Sequence, residues 1–283
     1  MIKPILHLAL MLPRIDQRDY FLYLFGMRYI VIIDNLTPSI VVYDYFYELL
    51  PKYKSSPIYI AFTGESRDIN YFKCHFALSF EEHHSRNIYL PLWILFIDWF
   101  DTKDHDLCKL TDIMLRQQIK KINKTLFCGF VAKNSVPVRN NFVLALSKYK
   151  TVTCPGIILH NYPHIGGRMG YAKEQFLRCC KFTVAFENCS KPGYITEKLL
   201  HAFQSRTIPI YWGSASVNKY FNHNAFINCH DYENWDDVLA EIIRLDNDDT
   251  AYLEKLNQPV FKNDIVPAQF WPSTVLTSIE NLF

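Results

Sequence analysis

The sequence lacks any apolar run long enough to span a bilayer, any C-x-x-C pair and any H-E-x-x-H motif. Its two apolar stretches, MIKPILHLALMLP at the start and IYLPLWILFIDWF at 88–100, are shorter than the roughly 20 residues of a transmembrane helix. The first also has no small-residue cleavage site for export. We interpret it as a buried strand or a truncated start, and the second as a core helix. These absences predict a cytoplasmic protein without a transmembrane segment, and they leave peripheral association with the inner membrane open.

A large charge excess and a regular cysteine spacing are absent as well. The net charge of +2 argues against binding to nucleic acid through a broad basic surface. The eight cysteines have no regular spacing, which predicts free thiols and neither a disulfide framework nor a zinc site. The one D-x-D sequence, Asp246 to Asp248, follows an apparent helix, and we interpret it as a solvated turn. The sequence therefore predicts no metal-ligand set.

The chain does contain enough apolar material for two α/β domains. Its 283 residues are 49% hydrophobic and 16% aromatic, which suffices for two cores of ordinary size. Strand-like runs at 29–34, 39–46, 57–66 and 76–82 predict a first domain over residues 1–124, closed by the polar segment 101–124. The second domain covers residues 125–283, and we expect its last helix to pack back on the first domain.

The most informative stretch is 181–214, which has the pattern strand, loop, helix, strand. KFTVAFEN is the first strand and RTIPIYWG the second, so the stretch predicts a right-handed βαβ unit. Lys198 lies in the first turn of the helix, where the macrodipole disfavours a cation and favours a bound phosphate. Glu197 beside it is suited to accept hydrogen bonds from ribose hydroxyls. From these residues alone, a solvated first turn with an ordinary Glu and Lys is an equal alternative.

The residue pattern of this stretch resembles that of a known family. FENCSKPGYITEK at 186–198, followed by a helix and IPIYWGS at 208–214, resembles the signature of the α-1,3-fucosyltransferase family of bacterial type, inverting enzymes that use GDP-fucose. The resemblance implies a GT-B fold, with two Rossmann-like domains facing across a cleft. It also implies transfer of L-fucose from GDP-fucose to the 3-hydroxyl of GlcNAc, or of Glc, in a lactosamine-type oligosaccharide.

The resemblance further implies a set of donor-binding residues. In the family, the arginine of a P-[IV]-R-N loop contacts the diphosphate, and VPVRN at 136–140 places Arg139 in that position. From Arg139 alone, a side chain that extends to solvent is an equal alternative. Lys198 would hold the leaving group from a second side, and Asn188, Tyr194 and Glu197 complete the set. With two cations and a helix N-terminus available, no cofactor is required, although Mg²⁺ or Mn²⁺ stimulation is compatible with this expectation. The Gly-rich loop HNYPHIGGRMG, with Arg168, is favoured as a surface loop over a nucleotide lid.

Inverting transfer also needs a general base that deprotonates the acceptor hydroxyl. In the family this is a glutamate before an arginine and a proline-leucine pair, and SFEEHHSRNIYLPL at 79–92 places Glu82 there, with about two residues missing before Pro91. Glu81 and Glu65 of FTGES are alternative bases, and His83 and His84 are interpreted as exposed loop histidines.

Two rival functions remain open at this point. One is an inverting glycosyltransferase that uses another nucleotide sugar, and the other is a catalytically silent protein that binds carbohydrate or nucleotide.

Overall fold

The computed structural model describes residues 3–47, 49–102, 104, 106–114, 118–165 and 169–282. The strands are β1 (Ile5–Met11), β2 (Ile30–Ile33), β3 (Ile40–Asp44), β4 (Ile58–Phe62), β5 (Phe76–Ser79), β6 (Asn87–Tyr89), β7 (Leu126–Gly129), β8 (Val152–Thr153), β9 (Cys180–Phe186), β10 (Ile208–Trp212) and β11 (Ile227–Asn228). The α-helices are α1 (Ile15–Gly26), α2 (Leu110–Met114), α3 (Pro137–Leu146), α4 (Met169–Arg178), α5 (Glu197–Gln204), α6 (Trp235–Asn247), α7 (Asp249–Leu256) and α8 (Pro272–Glu280).

The chain forms two compact units. Unit 1 takes the described residues of Met1–Leu95, Pro192–Tyr194 and Pro267–Phe283, and unit 2 takes those of Phe96–Lys191 and Ile195–Val266. The chain thus first passes from unit 1 to unit 2 between Leu95 and Phe96, before the polar segment 101–124 that the sequence placed between its domains.

Unit 1 is built on a parallel sheet of six strands in the order β2-β1-β3-β4-β5-β6. The interior strand β3, with the sequence IVVYD, is buried along its whole length, as expected where helices and loops cover both faces of a parallel sheet. The opening apolar stretch supplies β1, so the prediction of a buried first strand is confirmed. The four strand-like runs of the predicted first domain supply β2 to β5.

Helix α8 belongs to unit 1, which confirms that the end of the chain packs on the first part of the fold. Arg28 donates a hydrogen bond to Thr277 Oγ1 at 2.7 Å and forms an ion pair with Glu280. Tyr29 donates its hydroxyl proton to Glu280 at 2.9 Å.

The second apolar stretch, 88–100, does not form the α-helix that its length suggested. It contains the end of β6 and a short 3₁₀ helix, Leu92–Phe96, that begins after Pro91. The interpretation as core is right, since Leu90 and Leu92 to Ile97 are all buried. A run that is apolar on every side gives no periodicity to separate these structures.

Unit 2 is built on a parallel sheet of five strands in the order β11-β10-β9-β7-β8. The predicted βαβ unit is confirmed as β9, α5 and β10, with β9 at the centre of the sheet. The end of β9 therefore lies at the middle of the sheet edge where parallel α/β sheets place their ligands.

Asp246 does not lie in a solvated turn, as the sequence suggested. It belongs to α6 and is buried. Its carboxylate lies 2.5 Å from Lys150 Nζ and 2.9 Å from Lys181 Nζ, and it accepts a hydrogen bond from the Tyr149 hydroxyl at 3.0 Å. Burial alone would raise the pKa of Asp246, but its bonds to Lys150, Lys181 and Tyr149 outweigh burial and lower it. This carboxylate therefore ties helix α6 to the start of β9.

The eight cysteines are free thiols, as predicted. Within the described ranges, His, Cys, Asp and Glu side chains form no group of three or more that is arranged to hold a metal. The same part of the chain contains no helix that is both long and apolar enough to cross a membrane.

Candidate functional site

The carboxyl end of β9 is organised by Glu187, a residue that the sequence did not single out. Its side chain is 0% exposed. It accepts hydrogen bonds from the Thr196 backbone N–H at 2.7 Å and the Thr196 hydroxyl at 2.7 and 3.0 Å, and it lies 3.0 Å from Lys198 Nζ. The available signal was a charged residue directly after a buried strand, in the sequence FEN. Glu187 thereby fixes the residue that precedes α5.

The buried carboxylate of Glu187 holds the side chain of Lys198 at the start of α5. Its Nζ also lies 2.9 Å from Thr196 Oγ1 and 3.7 Å from Glu197, and its side chain is 22% exposed. Burial by itself would lower the pKa of Lys198, but Glu187 and Glu197 outweigh it and hold that pKa above the usual value. Lys198 is therefore a charged, largely covered cation, so its interpretation as an ordinary solvated residue is wrong.

Arg139 lies in the first turn of α3 and is only 3% exposed, so the alternative of a side chain extending to solvent is also wrong. Its guanidinium donates to the backbone oxygens of Phe186 and Asn134 at 3.3 and 2.7 Å, and to Asn188 Oδ1 at 3.2 Å. It joins the β7–α3 loop to the end of β9, which brings three predicted donor-binding residues, Arg139, Asn188 and Lys198, to the same strand end.

Glu197 completes the predicted cluster in unit 2. Burial alone would raise the pKa of Glu197, but Lys198, Lys173 and His201 outweigh burial and lower it. Glu197 is therefore ionised at neutral pH and suited to accept hydrogen bonds. Lys173, which the sequence did not single out, lines one small cavity together with Arg139 and Lys198.

Tyr194 is placed in unit 1, whereas the other predicted donor-binding residues are in unit 2. Its ring is buried and lies edge-on to the ring of Phe80, with 5.5 Å between the two centroids. Its hydroxyl lies 3.4 Å from the Glu65 carboxylate. Gly193 next to it has φ +76°, and a Cβ there would lie 2.1 Å from the backbone oxygen of Phe80. Only glycine fits this position, because both the backbone conformation and the available space exclude a side chain.

The candidate bases lie in unit 1 and have different surroundings. Glu81 accepts the Tyr71 hydroxyl at 2.5 Å and the Ile69 N–H at 3.3 Å, which gives it a role in holding the loop. The Glu82 side chain is 9% exposed, lies 3.8 Å from His83 Nε2, and packs against the Cα side of Gly193.

His83 and His84 are both exposed, as expected. The ring of His84 also stacks on the ring of Tyr71, with 3.6 Å between their centroids. Arg168 of the Gly-rich loop lies outside the described residues.

Comparison of the sequence with known proteins identifies the family of this chain. Residues 119–259, which contain every predicted donor-binding residue, match the profile of glycosyltransferase family 10 (fucosyltransferase), C-terminal part. A stretch of 134 residues is 42% identical to "Alpha-(1,3)-fucosyltransferase FucT" of Helicobacter pylori. This chain belongs to glycosyltransferase family 10, the fucosyltransferases. The family resemblance seen in the sequence is thereby confirmed.

Solved structures of fucosyltransferases agree with the fold. A crystal structure of an α1,3-fucosyltransferase with GDP-fucose covers 100% of this chain and 91% of its own, with a TM-score of 0.75 at 24% identity. Another α1,3-fucosyltransferase structure gives a TM-score of 0.76 at 26% identity, covering 99% of this chain and 89% of its own. The α/β fold with parallel sheets, that of a GT-B type enzyme, is thus confirmed. The alignment with the Helicobacter pylori fucosyltransferase covers 46% of this chain and 27% of that protein.

Proposed function

We propose that this chain is an inverting α-1,3-fucosyltransferase. It moves L-fucose from GDP-fucose to the 3-hydroxyl of GlcNAc, or of Glc, in a lactosamine-type oligosaccharide. The observation that carries the proposal is the pair of covered cations, Arg139 and Lys198, at the carboxyl end of the central strand β9. The Helicobacter pylori relative, named as an α-(1,3)-fucosyltransferase, and the α1,3-fucosyltransferase structure at 26% identity support the same reaction.

On the donor side, Arg139 and Lys198 bind the diphosphate. The Arg139 guanidinium has carbonyl and amide oxygens as its neighbours, and phosphate oxygens are stronger acceptors for the same N–H groups. As the bond from fucose C1 to the phosphate oxygen breaks, both cations stabilise the negative charge that develops on GDP. Glu197 accepts hydrogen bonds from ribose hydroxyls, and Asn188 and Tyr194 complete the donor-binding set.

On the acceptor side, Glu82 is the proposed general base. It takes the proton of the acceptor 3-hydroxyl while that oxygen attacks fucose C1 from the face opposite GDP, and the electron pair of the broken bond leaves with the diphosphate. Glu81 and Glu65 are the alternative bases. Glu81 accepts hydrogen bonds from the Tyr71 hydroxyl and the Ile69 N–H, and Glu65 lies 3.4 Å from the Tyr194 hydroxyl.

GDP and GDP-fucose should raise the unfolding temperature of the protein more than UDP or CMP does. A ligand that binds only the native state stabilises it by mass action, by about 2.7 kcal/mol at a concentration of 100 times Kd. Thermal unfolding at matched concentrations of the four ligands measures the difference. An equal response to UDP or CMP would contradict a guanine donor and favour another nucleotide sugar.

Fucosyl transfer should persist in excess EDTA. The proposed site meets the diphosphate with Arg139, Lys198 and the start of α5, so it does not need a divalent cation for that charge. The measurement is product formation from GDP-fucose and a lactosamine acceptor before and after chelation, with linkage analysis of the product. Modest stimulation by Mg²⁺ or Mn²⁺ fits ion binding to released GDP, whereas complete loss restored by one metal contradicts the proposal.

A further inference from the structure

We propose that Lys173 supplies the excess positive charge of the donor site by balancing Glu197, so that Lys198 and Arg139 can act on the diphosphate. This inference rests on the proposed function, because it concerns the same site. Lys173 lies on α4, outside the motif that indicated the donor site. It lines one cavity together with Arg139 and Lys198, and this juxtaposition is the first observation that carries the proposal.

The second observation is the balance of charge around that cavity. Lys198 is paired with the buried Glu187 at 3.0 Å. Arg139 donates hydrogen bonds to three neutral oxygens, those of the Phe186 and Asn134 backbones and of the Asn188 side chain. Glu197 interacts electrostatically with both Lys198 and Lys173. Among these five side chains, the three cations exceed the two carboxylates by one charge. Without Lys173 the charges cancel, and Lys198 is left between Glu187 and Glu197.

The third observation is that Lys173 is held in place. Its Nζ lies 3.2 Å from Nδ1 of His201, a buried residue one turn along α5 from Glu197. When Lys173 donates to Nδ1, the ring carries its own proton on Nε2. Burial lowers the pKa of Lys173, while Glu197 opposes that shift. The charged and titratable groups that act on Lys173 are Glu197, Lys198, Glu187, Cys108 and His201.

An extra positive charge matters most for the leaving group. GDP carries one more negative charge than GDP-fucose, because the bond to the sugar is replaced by a free phosphate oxygen. A cation that sets the net charge of the site therefore stabilises the departing diphosphate more than the intact donor, and it affects turnover as well as binding. Lys173 is in this sense a positioning residue, acting on the reaction through Glu197 and Lys198.

The test compares Lys173→Met, Lys173→Arg and wild type with three probes: inorganic pyrophosphate, GDP and guanosine. We expect Lys173→Met to weaken pyrophosphate and GDP binding by roughly 10-fold, to leave guanosine binding unchanged and to lower kcat more than it raises the KM for GDP-fucose. Lys173→Arg should restore most of the loss, because it restores the charge. Equal weakening of guanosine and GDP, or unchanged pyrophosphate binding in a folded Lys173→Met variant, would overturn the proposal.

A pH profile supplies the readout that a merely structural role would not change. The contribution of Lys173 is complete below its folded pKa and is lost as the pH rises through it. Because burial lowers that pKa, wild-type pyrophosphate affinity should begin to fall below the pH at which an ordinary lysine titrates. Lys173→Arg, which stays protonated, should fall less over the same range, while titration of the ligand itself is common to both proteins. Superimposable profiles would contradict the inference. If wild type binds pyrophosphate through Lys173 but does not prefer GDP over UDP, the proposed donor is wrong and this inference stands.

Discussion

Glu82→Gln should slow fucosyl transfer by roughly 100-fold to 10,000-fold, the usual contribution of a positioned general base. Glutamine keeps the shape of the side chain and can donate or accept hydrogen bonds, but it cannot take the acceptor proton. Because the Glu82 side chain packs beside Gly193 and is largely covered, a substitution of equal size should keep that packing. GDP affinity should therefore remain close to wild type. Single-turnover transfer rates and GDP titrations on the same preparations measure the two quantities separately.

Glu81→Gln and Glu65→Gln are the matched controls. Glu81 accepts a hydrogen bond from Tyr71, so its variant should lose some stability and only a small part of its activity. Glu65 lies 3.4 Å from the Tyr194 hydroxyl, and its variant reports on that contact. A selective collapse of turnover at Glu81 or Glu65 would move the role of base to that residue. If all three variants turn over like wild type with GDP binding intact, the base is elsewhere.

Lys198→Ala should lose both stability and donor binding. A cation in the first turn of a helix opposes the helix dipole, so its loss there would cost little stability if it had no buried partner. Lys198 is the ion-pair partner of Glu187, which has no exposed surface, so its removal leaves a buried carboxylate without its counter-charge. Breaking a buried pair in this way costs about 3 to 5 kcal/mol. Denaturant unfolding of Lys198→Ala against wild type measures the loss.

A double variant separates the two roles of Lys198. Glu187→Gln with Lys198→Met removes both charges, keeps similar volumes and leaves an amide oxygen that can still accept the Thr196 N–H. Replacing both members of a buried pair is often close to neutral, so the double variant should regain most of the stability lost in Lys198→Ala. GDP binding should stay weak, by roughly 10-fold or more, because the phosphate contact is missing. Wild-type GDP affinity in the stable double variant would mean that Lys198 serves only the fold.

The sequence predicted the βαβ unit at the centre of unit 2 because that information is local. Strand β9, helix α5 and strand β10 follow each other within residues 180–212, and their hydrophobic periods differ enough to be read directly. The unusual charge of Lys198 at a helix start was visible for the same reason. What remained hidden was Glu187, since burial of one carboxylate beneath α5 depends on how strands and helices pack, and spacing alone does not show it.

Other misses also come from contacts distant in sequence. Asp246 was expected in solvent, yet Lys150 and Lys181 lie far from it in the chain and bury it in unit 2. Lys173 is separated from Lys198 by the whole of β9 and the following loop, so no motif connects them. Gly193 lies in the loop after β9, but the need for glycine there comes from the backbone oxygen of Phe80, in a distant part of the sequence.

Unit 1 is formed from segments that are distant in the sequence, and this affects the order in which it can fold during synthesis. Its sheet strands lie in the first 95 residues, but α8, which supplies the partners of Arg28 and Tyr29, is translated only after all of unit 2. Domains usually complete their folding in order from the N-terminus during synthesis. Unit 1 departs from this order, because its strands β1 to β6 are synthesised before unit 2 and its helix α8 is synthesised after unit 2. A chain that stops after residue 266 would therefore lack the contacts of Arg28 and Tyr29 with α8 in unit 1, while the described segments of unit 2 would all be present.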